Sequence, residues 1–499
     1  MNILDRMIAP FFPQRALNRL RARAQFEILA QHEAARPDRL RKIKRSTGSG
    51  DAVAIHSRSL REQARWLDEN YDLAAGILDE KVKGVIGAKG ILIEPTPRDK
   101  NGEILTDFAE ELSGLFEEWS RSVTTCGMPR SDAERIVCLS WLRDGEMLGQ
   151  LVQGRVNLYQ FATRVPLAVE LLEADYLPSE SQIDASRNIV GGVERNAWGK
   201  PTAYHIYKDH PGNLMGKWSL TTKRVSADNM LHLKLARRSR QARGISLLAP
   251  VIQRLGDLRD YEHAEQVAAK VSAALTAYIK KGEPQMYMGN QNDDDDERLF
   301  DISPLMVFDN LAPGEDVGTI ESNRPSALLT PYRDAMLKAA CAGTASSYST
   351  VSRTYMGTYS SQRQELVDVT STHAVFQDQF INSWSMPCYE SLIRVSIASG
   401  VLRAPASLDV RSLFDAEYLG PTMPWIDPVK EANAWKQNVR NGHATDAEAI
   451  RARGRNPVKV RAKRLKEIQT NREDGLVTDT DPYFDKPSIQ VSDNAQTDQ

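Results

Sequence analysis

Apolar residues recur along this chain with two periods, and the points where the period changes divide it into elements. In the middle they follow helical spacing: Leu248, Val251, Ile252, Leu255 and Leu258, then Val267, Val271, Ala274, Leu275 and Tyr278. The pattern predicts one helix from Ser246, an N-cap candidate, to Lys280-Lys281-Gly282, with Pro250 in the first turn where a missing N–H costs little. The two lysines suit the negative end of the helix dipole, Gly282 suits a C′ position, and Pro284 prevents continuation. Unbroken, such a helix is about 50 Å long. A second helix is predicted from Thr330, with Pro331 at its first position, to about Gly343. A polar, aromatic loop follows from Ser346 to Gly357. Ser361 and Gln364 have the spacing of a capping box, and the third helix runs on to about Ser399 with a kink at Pro387.

Upstream, Leu60, Ala64, Leu67, Tyr71, Ala74, Ala75 and Leu78 predict a helix from Ser59 to Ile86, broken by Gly84, Gly87 and Gly90 before the strand Ile91-Leu92-Ile93. Phe108, Leu112, Leu115, Phe116 and Trp119 mark a second amphipathic helix, and Ala133 to Trp141 a third that ends at the turn Asp144-Gly145. Strand-like runs follow at Leu148–Val152, Val169–Glu173, Thr202–Tyr207 and Met230–Leu235, separated by Gly, Pro and Asn. Mostly antiparallel pairing, and an α+β class, is the expectation. After Gly400 a short α/β stretch leads to Asp427-Pro428, which opens a helix carrying Ala434, Trp435 and Val439 and ended by Gly442. Asp446-Ala447-Glu448 starts another, and Pro457 to Ile468 a basic one. From Thr470 the chain is polar with few apolar anchors, as in disordered tails.

Composition changes this picture little. A chain of 499 residues, 41% hydrophobic and 26% charged, can bury a sizeable core. A net charge of −2 argues against coating nucleic acid through bulk positive charge. Cys126, Cys138, Cys341 and Cys388 are scattered, without a Cys-x-x-Cys pair, and read as free thiols. No apolar run approaches the roughly 18 residues of a membrane span, and the N-terminus has no signal-peptide core. The first fifty residues are basic, with Arg15, Arg19, Arg21, Arg23, Arg36, Arg39, Arg41, Lys42, Lys44 and Arg45. Glu27 and Glu33 dilute the pattern of a mitochondrial presequence, which leaves a solvated or partner-contacting arm before the hinge-like Ser46-Thr47-Gly48-Ser49-Gly50.

Catalytic patterns are near misses. There is no Gly-x-x-x-x-Gly-Lys-Ser/Thr loop to cradle ATP phosphates and no Gly-x-Ser-x-Gly elbow. His32-Glu33 begins like a zinc-protease helix, but Arg36 stands where the second histidine would be. His205, His210 and His232 lie in or beside strands and read as core or surface histidines. Asp427 and Glu431 sit where acids complement a helix N-terminus. The run Asp293, Asp294, Asp295, Asp296 and Glu297 lacks the glycine and spaced ligands of a calcium loop and reads as solvated. No cofactor, metal or catalytic residue is expected.

Four motif groups, in order along the chain, carry a resemblance. They are Gly192-Val193-Glu194 through Gly199-Lys200-Pro201-Thr202-Ala203-Tyr204-His205-Ile206 with His210-Pro211; Arg224-Val225-Ser226-Ala227 to Leu231-His232-Leu233 and on through Arg238, Gln241 and Arg243-Gly244; Gly343 and Tyr348 with Tyr359-Ser360-Ser361-x-Arg363; and Trp425-Ile426-Asp427-Pro428-x-Lys430-Glu431 with Ala434. The ordered set resembles the lambda-type portal proteins of tailed phages. The resemblance implies a portal fold: a basic arm at 1–58, an α/β wing at 59–242, a stem helix at 243–282, a small clip module at 283–329, and a second stem helix at 330–345. A tunnel loop at 346–360, a kinked long helix returning to the wing at 361–424, a helical crown at 425–470 and a disordered tail at 471–499 complete it.

It further implies a homo-oligomeric, dodecameric ring at the capsid vertex, assembled in the host cytoplasm, that passes double-stranded DNA during packaging and ejection. Implied partners are the terminase large subunit, head–tail connector or adaptor proteins, and major capsid and scaffold proteins. The tunnel loop would bring Ser349, Thr350, Ser352, Arg353, Thr354 and Tyr355 to the DNA, where hydroxyls and modest positive charge touch phosphates weakly. The acidic run 293–297 would discourage DNA from sticking at the channel mouth. The family pattern matches neither that acidic segment nor, closely, the basic arm. A terminase-like DNA-processing enzyme and a non-viral scaffold are the alternatives; the first needs an ATP loop or spaced carboxylates, the second leaves the ordered motifs unexplained.

Overall fold

The computed structural model describes residues 54–154, 159–178, 188–212, 221–274, 278–281, 315–318, 328–423, 427–476 and 478. Asp293 to Glu297, nearly all of the basic arm and the end of the polar tail lie outside them. The α+β expectation holds, and among the described residues the paired strands are all antiparallel.

The expected 59–86 helix is two helices, α1 (Ala54–Asn70) and α2 (Asp72–Val85). Tyr71 breaks them with extended backbone, φ −139° and ψ 113°, while its ring is buried and its hydroxyl donates to Glu262 at 3.1 Å. A distant partner therefore outweighs local helix propensity. Two further helices, α3 (Thr106–Trp119) and α4 (Arg130–Asp144), bury Phe108, Leu112, Leu115, Phe116 and Trp119, then Val137, Cys138 and Trp141, in the same core. Gly145, with φ +91°, stops α4 in the left-handed conformation that glycine adopts without a Cβ penalty.

The strands form two main sheets. β1 (Leu92–Pro95) pairs instead with a late strand described below, while β2 (Glu146–Gln153) is central to a three-stranded sheet between β3 (Leu167–Glu173) and a strand at Met230–Lys234. The four-stranded sheet takes β4 (Ile189–Val190), β5 (Val193–Arg195), β6 (Pro201–Tyr207) and β7 (Thr222–Ser226) in chain order, and Met230–Lys234 is β8. Leu148 and Leu172 of the first sheet share a small second core with Val193, Tyr204 and Ile206 of the other.

The expected 246–282 helix is shorter. Residues 247–251 are turns, with Ser246 Oγ accepting from the Leu248 N–H at 3.1 Å, and α5 spans Ile252–Ala274. Lys280 and Lys281 do not end a helix: β9 (Tyr278–Lys281) pairs with β10 (Glu315–Gly318), setting Lys281 opposite Glu315 and Lys280 opposite Asp316. The strand partner lies far downstream, where helical periodicity carries no trace of it. Ile252, Leu255 and Leu258 are buried in the subunit's own core, whereas Val267 is 43% exposed.

Next come α6 (Leu329–Thr344), a short helix α7 (Tyr348–Ser352) and α8 (Tyr359–Phe380). The cap of α8 is Thr358, whose hydroxyl accepts from the Ser361 N–H at 3.3 Å; Ser361 itself is inside the helix, so the Ser361/Gln364 capping box does not form. Where a kink at Pro387 is expected, the helix makes a π-helical turn, Ile381–Ser385, leading into α9 (Met386–Ala398) with Pro387 in its first turn. A proline there has no N–H to donate and crowds the carbonyl one turn back, and the widened turn relieves both. It also seats Trp384 on β2 at Gly149, where a Cβ would come within 2.6 Å of the indole.

The chain then returns through β11 (Ala416–Leu419), the partner of β1, to α10 (Pro428–Arg440), α11 (Asp446–Arg451) and α12 (Pro457–Glu473). All three are capped from the sequence: Asp427 accepts from Lys430 N, Asn456 accepts from Lys459 N, and Thr445 and Glu448 form a full capping box. No described helix is long and apolar enough to cross a membrane.

Candidate functional site

The segment between α6 and α8 divides into a pinned half and a free half. Two residues without glycine's freedom bracket the pinned half, Ala345 at φ 52° and Arg353 at φ 56°. Each costs about 1–2 kcal/mol in the left-handed region, so neighbouring contacts must hold them there. At Ala345 they do. The Ser346 N–H returns to the Cys341 carbonyl at 2.9 Å, closing the end of α6, and Lys81 Nζ donates to the Ala345 carbonyl at 2.5 Å. Lys81 is wholly buried, and that burial pushes its ammonium pKa down while the adjacent Glu80 opposes it. Glu80 in turn lies 2.8 Å from His373 of α8, whose ring occupies the space left by the missing side chain of Gly84.

Glu365, about two turns into α8 beyond its cap, ties down the rest of the pinned half. Ser347 Oγ and the Ser349 N–H donate to its Oε1 at 2.7 and 3.0 Å, and Ser349 Oγ donates to its Oε2 at 2.6 Å. Partial burial alone would raise this carboxyl, but the serine donors outweigh it and hold the pKa below the ordinary value. Ser347 also caps α7 by accepting from the Thr350 N–H, and Val351 is buried over Gly76.

The free half begins at Arg353. Arg353, Thr354 and Tyr355 are exposed, with Tyr355 at 59% and the neighbouring Met356 at 89%. Its backbone is steadied by Gln362, which donates to the Tyr355 carbonyl at 2.9 Å. A cavity of about 220 Å³ separates the halves, lined by Ser349, Thr350, Tyr355, Tyr359 and Arg363. Of the six residues expected to face DNA, Ser349, Thr350 and Ser352 are therefore half-buried on the pinned side, and the three from Arg353 onward are exposed.

A second constellation joins the sheets to α5. Arg243 and Glu146 are both buried; Arg243 Nε donates to Glu146 Oε1 at 2.6 Å, and its other nitrogens donate to the carbonyls of Ala174, Pro178 and Gly191. The Gly244 N–H and His232 Nε2 take the other carboxylate oxygen at 3.0 and 3.1 Å. Gly244 packs so tightly that a Cβ would lie 2.0 Å from the Gly145 carbonyl oxygen. Arg243-Gly244 and His232, quoted above as motif residues, are thus structural keystones. Sequence reasoning missed Glu146, Lys81 and Glu365, because each partner lies far away or on the next helix. The one available signal was Glu365 itself, the first acid after the hydroxyl-rich and basic stretch from Ser346 to Gln364.

One further group gathers ligand-type atoms, Glu173, Asp175 and His210. Arg61 donates to Asp175 at 3.0 Å, and Arg65 reaches Asp175 at 2.7 Å and Glu173 at 3.1 Å. Two guanidiniums already supply the positive charge, so the group is an ion-pair network.

Helix, pinned turn, exposed tip and returning helix, mounted on an antiparallel α+β body, present a loop to solvent. The family model for phage portal proteins of the lambda family matches residues 36–377, and the chain belongs to that family. It is 24% identical over 453 residues to a probable portal protein of the Halomonas phage phiHAP-1, covering 87% of this chain and 86% of that one. Among solved structures, a chain of the virion of a native gene transfer agent particle is 14% identical, covering 80% of this chain and 97% of its own length with a TM-score of 0.41. A chain of the neck of a native gene transfer agent particle, computed with C12 symmetry, matches with a TM-score of 0.41 and 14% identity over 79% of this chain and 92% of that one.

Proposed function

We propose that copies of this portal protein close head to tail into a dodecameric ring around double-stranded DNA, with the segment at 346–360 facing the channel. The observation that carries the reading is the division of that segment. Glu365 and Lys81 fix its base to the body, while Arg353, Thr354 and Tyr355 stand exposed at the tip. A rigid base with a polar, weakly cationic tip suits transient contact with a moving phosphate backbone. One guanidinium per subunit attracts phosphates without the dense positive charge that would hold them. Residues 59–242 would form the wing, 243–345 the stem and clip, and 425–470 the crown. The terminase large subunit and then head–tail connector proteins would dock at the clip, with major capsid and scaffold proteins around the wing, in particles assembled in the host cytoplasm.

Mass photometry of the purified protein is expected to show a large closed oligomer. Replacing Arg353 and Tyr355 with alanine should leave that oligomer intact, because neither side chain packs into the body, and should lower packaged DNA in complemented phage. Leu255→Asp serves as the folding control, since Leu255 is fully buried within one subunit rather than between subunits. If the loop variant loses the oligomer and packaging merely tracks assembly, the loop is structural and the channel assignment is wrong.

A further inference from the structure

One dense run of positive charge in this near-neutral chain lies among the described residues away from the loop. Between Arg451 and Lys466 there are eight basic residues, Arg451, Arg453, Arg455, Lys459, Arg461, Lys463, Arg464 and Lys466, and no acid. The structure puts them at the end of α11, in the turn after it and along α12. Two are tied inward: Arg451 bridges Glu94 at 3.1 Å and Glu417 at 2.9 Å, and Lys459 pairs with Glu117 of α3. These contacts fix the helix start against the body, beside a groove of about 450 Å³ that they line.

Beyond that anchor, residues 461–467 are all exposed, including Leu465 at 59%. Arg461, Lys463 and Lys466 have no ion-pair partner among the described residues. Helical geometry spreads them: Lys463 and Lys466 extend the stripe begun by Lys459, and Arg461 and Arg464 form another on the far side. A helix with cationic side chains on two faces, held at one end and repelling itself along its length, is arranged for a large anion rather than for a core. The spread over two faces suits a backbone that passes along the helix better than a compact ligand, which would need convergent donors.

We propose that α12 is a binding surface for double-stranded DNA, acting through phosphates and without sequence preference, separate from the loop at 346–360. It rests on the portal reading only in that the protein then works among packaged duplex. Arg461, Lys463 and Lys466 are the contact residues, and Arg451 and Lys459 position the helix.

A closed ring can thread linear DNA but cannot thread a covalently closed circle, so the circle reports outer surfaces alone. The test measures binding of the full-length protein to a relaxed closed circular duplex over a series of salt concentrations. Wild type should bind the circle, and the triple variant Arg461→Gln, Lys463→Gln, Lys466→Gln should bind it more weakly. The slope of log affinity against log salt should fall by about 2–3, at about 0.9 per lost phosphate contact. Lys436→Gln with Arg440→Gln on α10 should leave both quantities near wild type. Glutamine keeps helix propensity, and the same oligomer by mass photometry confirms assembly. An unchanged slope in the triple variant overturns the proposal, as does a circle that wild type does not bind. A triple variant that loses the oligomer assigns the helix to subunit contact and overturns it too. Loss of the closed oligomer in wild type would instead defeat the ring reading, and circle binding would still decide this one.

Discussion

Arg243→Met tests how the sheets are joined to α5. Methionine keeps much of the side-chain volume but removes the guanidinium, leaving Glu146 buried with only the Gly244 N–H and His232, and freeing the carbonyls of Ala174, Pro178 and Gly191. Breaking a buried pair by removing one partner costs about 3–5 kcal/mol, because the other charge is left uncompensated. Adding Glu146→Gln removes that charge, so the double variant should regain more than about 1 kcal/mol over the sum of the two single losses. Urea unfolding at fixed protein concentration measures all four proteins.

The pH dependence follows from the same atoms. Burial alone would raise the Glu146 carboxyl, but Arg243 and His232 outweigh it and hold it well below the usual carboxylate range. Burial also lowers His232, against the pull of Glu146. Both groups therefore take up protons less readily when folded. Their contribution is present at neutral pH and is lost as pH falls, first below the ordinary histidine value of about 6.5, then through the carboxylate range. In Arg243→Met the stranded carboxyl can neutralise itself by taking a proton, so the gap to wild type should narrow towards pH 4. A single variant within 1 kcal/mol of wild type, or a gap that widens in acid, refutes this account.

Glu365→Ala removes three hydrogen bonds to Ser347 and Ser349, so hydrogen exchange of the Ser349 amide should speed at least tenfold while exchange in α9 is unchanged. Gly84→Ala should destabilise by about 1–3 kcal/mol, because its Cβ would lie 2.1 Å from the His373 ring; thermal melting checks it. Gly114→Ala on α3, where a Cβ meets nothing within 4 Å, should stabilise by about 0.5–1 kcal/mol in the same assay.

Where elements are fixed by neighbours in sequence, the chain could be read directly. The cap at Asp427, the helix start at Asp446, the stop at Gly145 and the strands β2, β3, β6 and β8 follow from local chemistry: a short polar acceptor before a helix, a glycine after one, alternation in between; the shorter β4, β5 and β7 are not among the predicted runs. What escaped was set from a distance. Tyr71 looks like one more apolar position of a helix, and only its bond to Glu262 shows why the helix parts there. Tyr278 fits a helical stripe equally well, but a partner strand recruits it. In the loop, small hydroxyl residues suggested an open, DNA-facing strand of chain. Two of them, Ser347 and Ser349, instead serve Glu365, because a half-buried carboxylate needs donors and these were within reach. The exposed tip was legible for the same reason the base was not: Arg353 and Tyr355 have no distant partner to reveal.

The π turn at Ile381–Ser385 has a consequence for insertions and deletions. Each residue advances an α-helix by about 100°, so the widened turn works as an index mark between α8 and α9. Deleting one residue there would leave two good helices but rotate the whole of α8 against the body by about that angle. His373 would leave the notch at Gly84, Gln377 would lose the Gly84 and Pro421 carbonyls it now donates to at 2.9 and 2.8 Å, and Glu365 would swing from beneath Ser349. Between Arg353 and Gly357 the chain can change length at little cost, since nothing downstream counts those residues. At Trp384 it cannot: the angular setting of the entire arm that carries the loop is stored in that one extra residue.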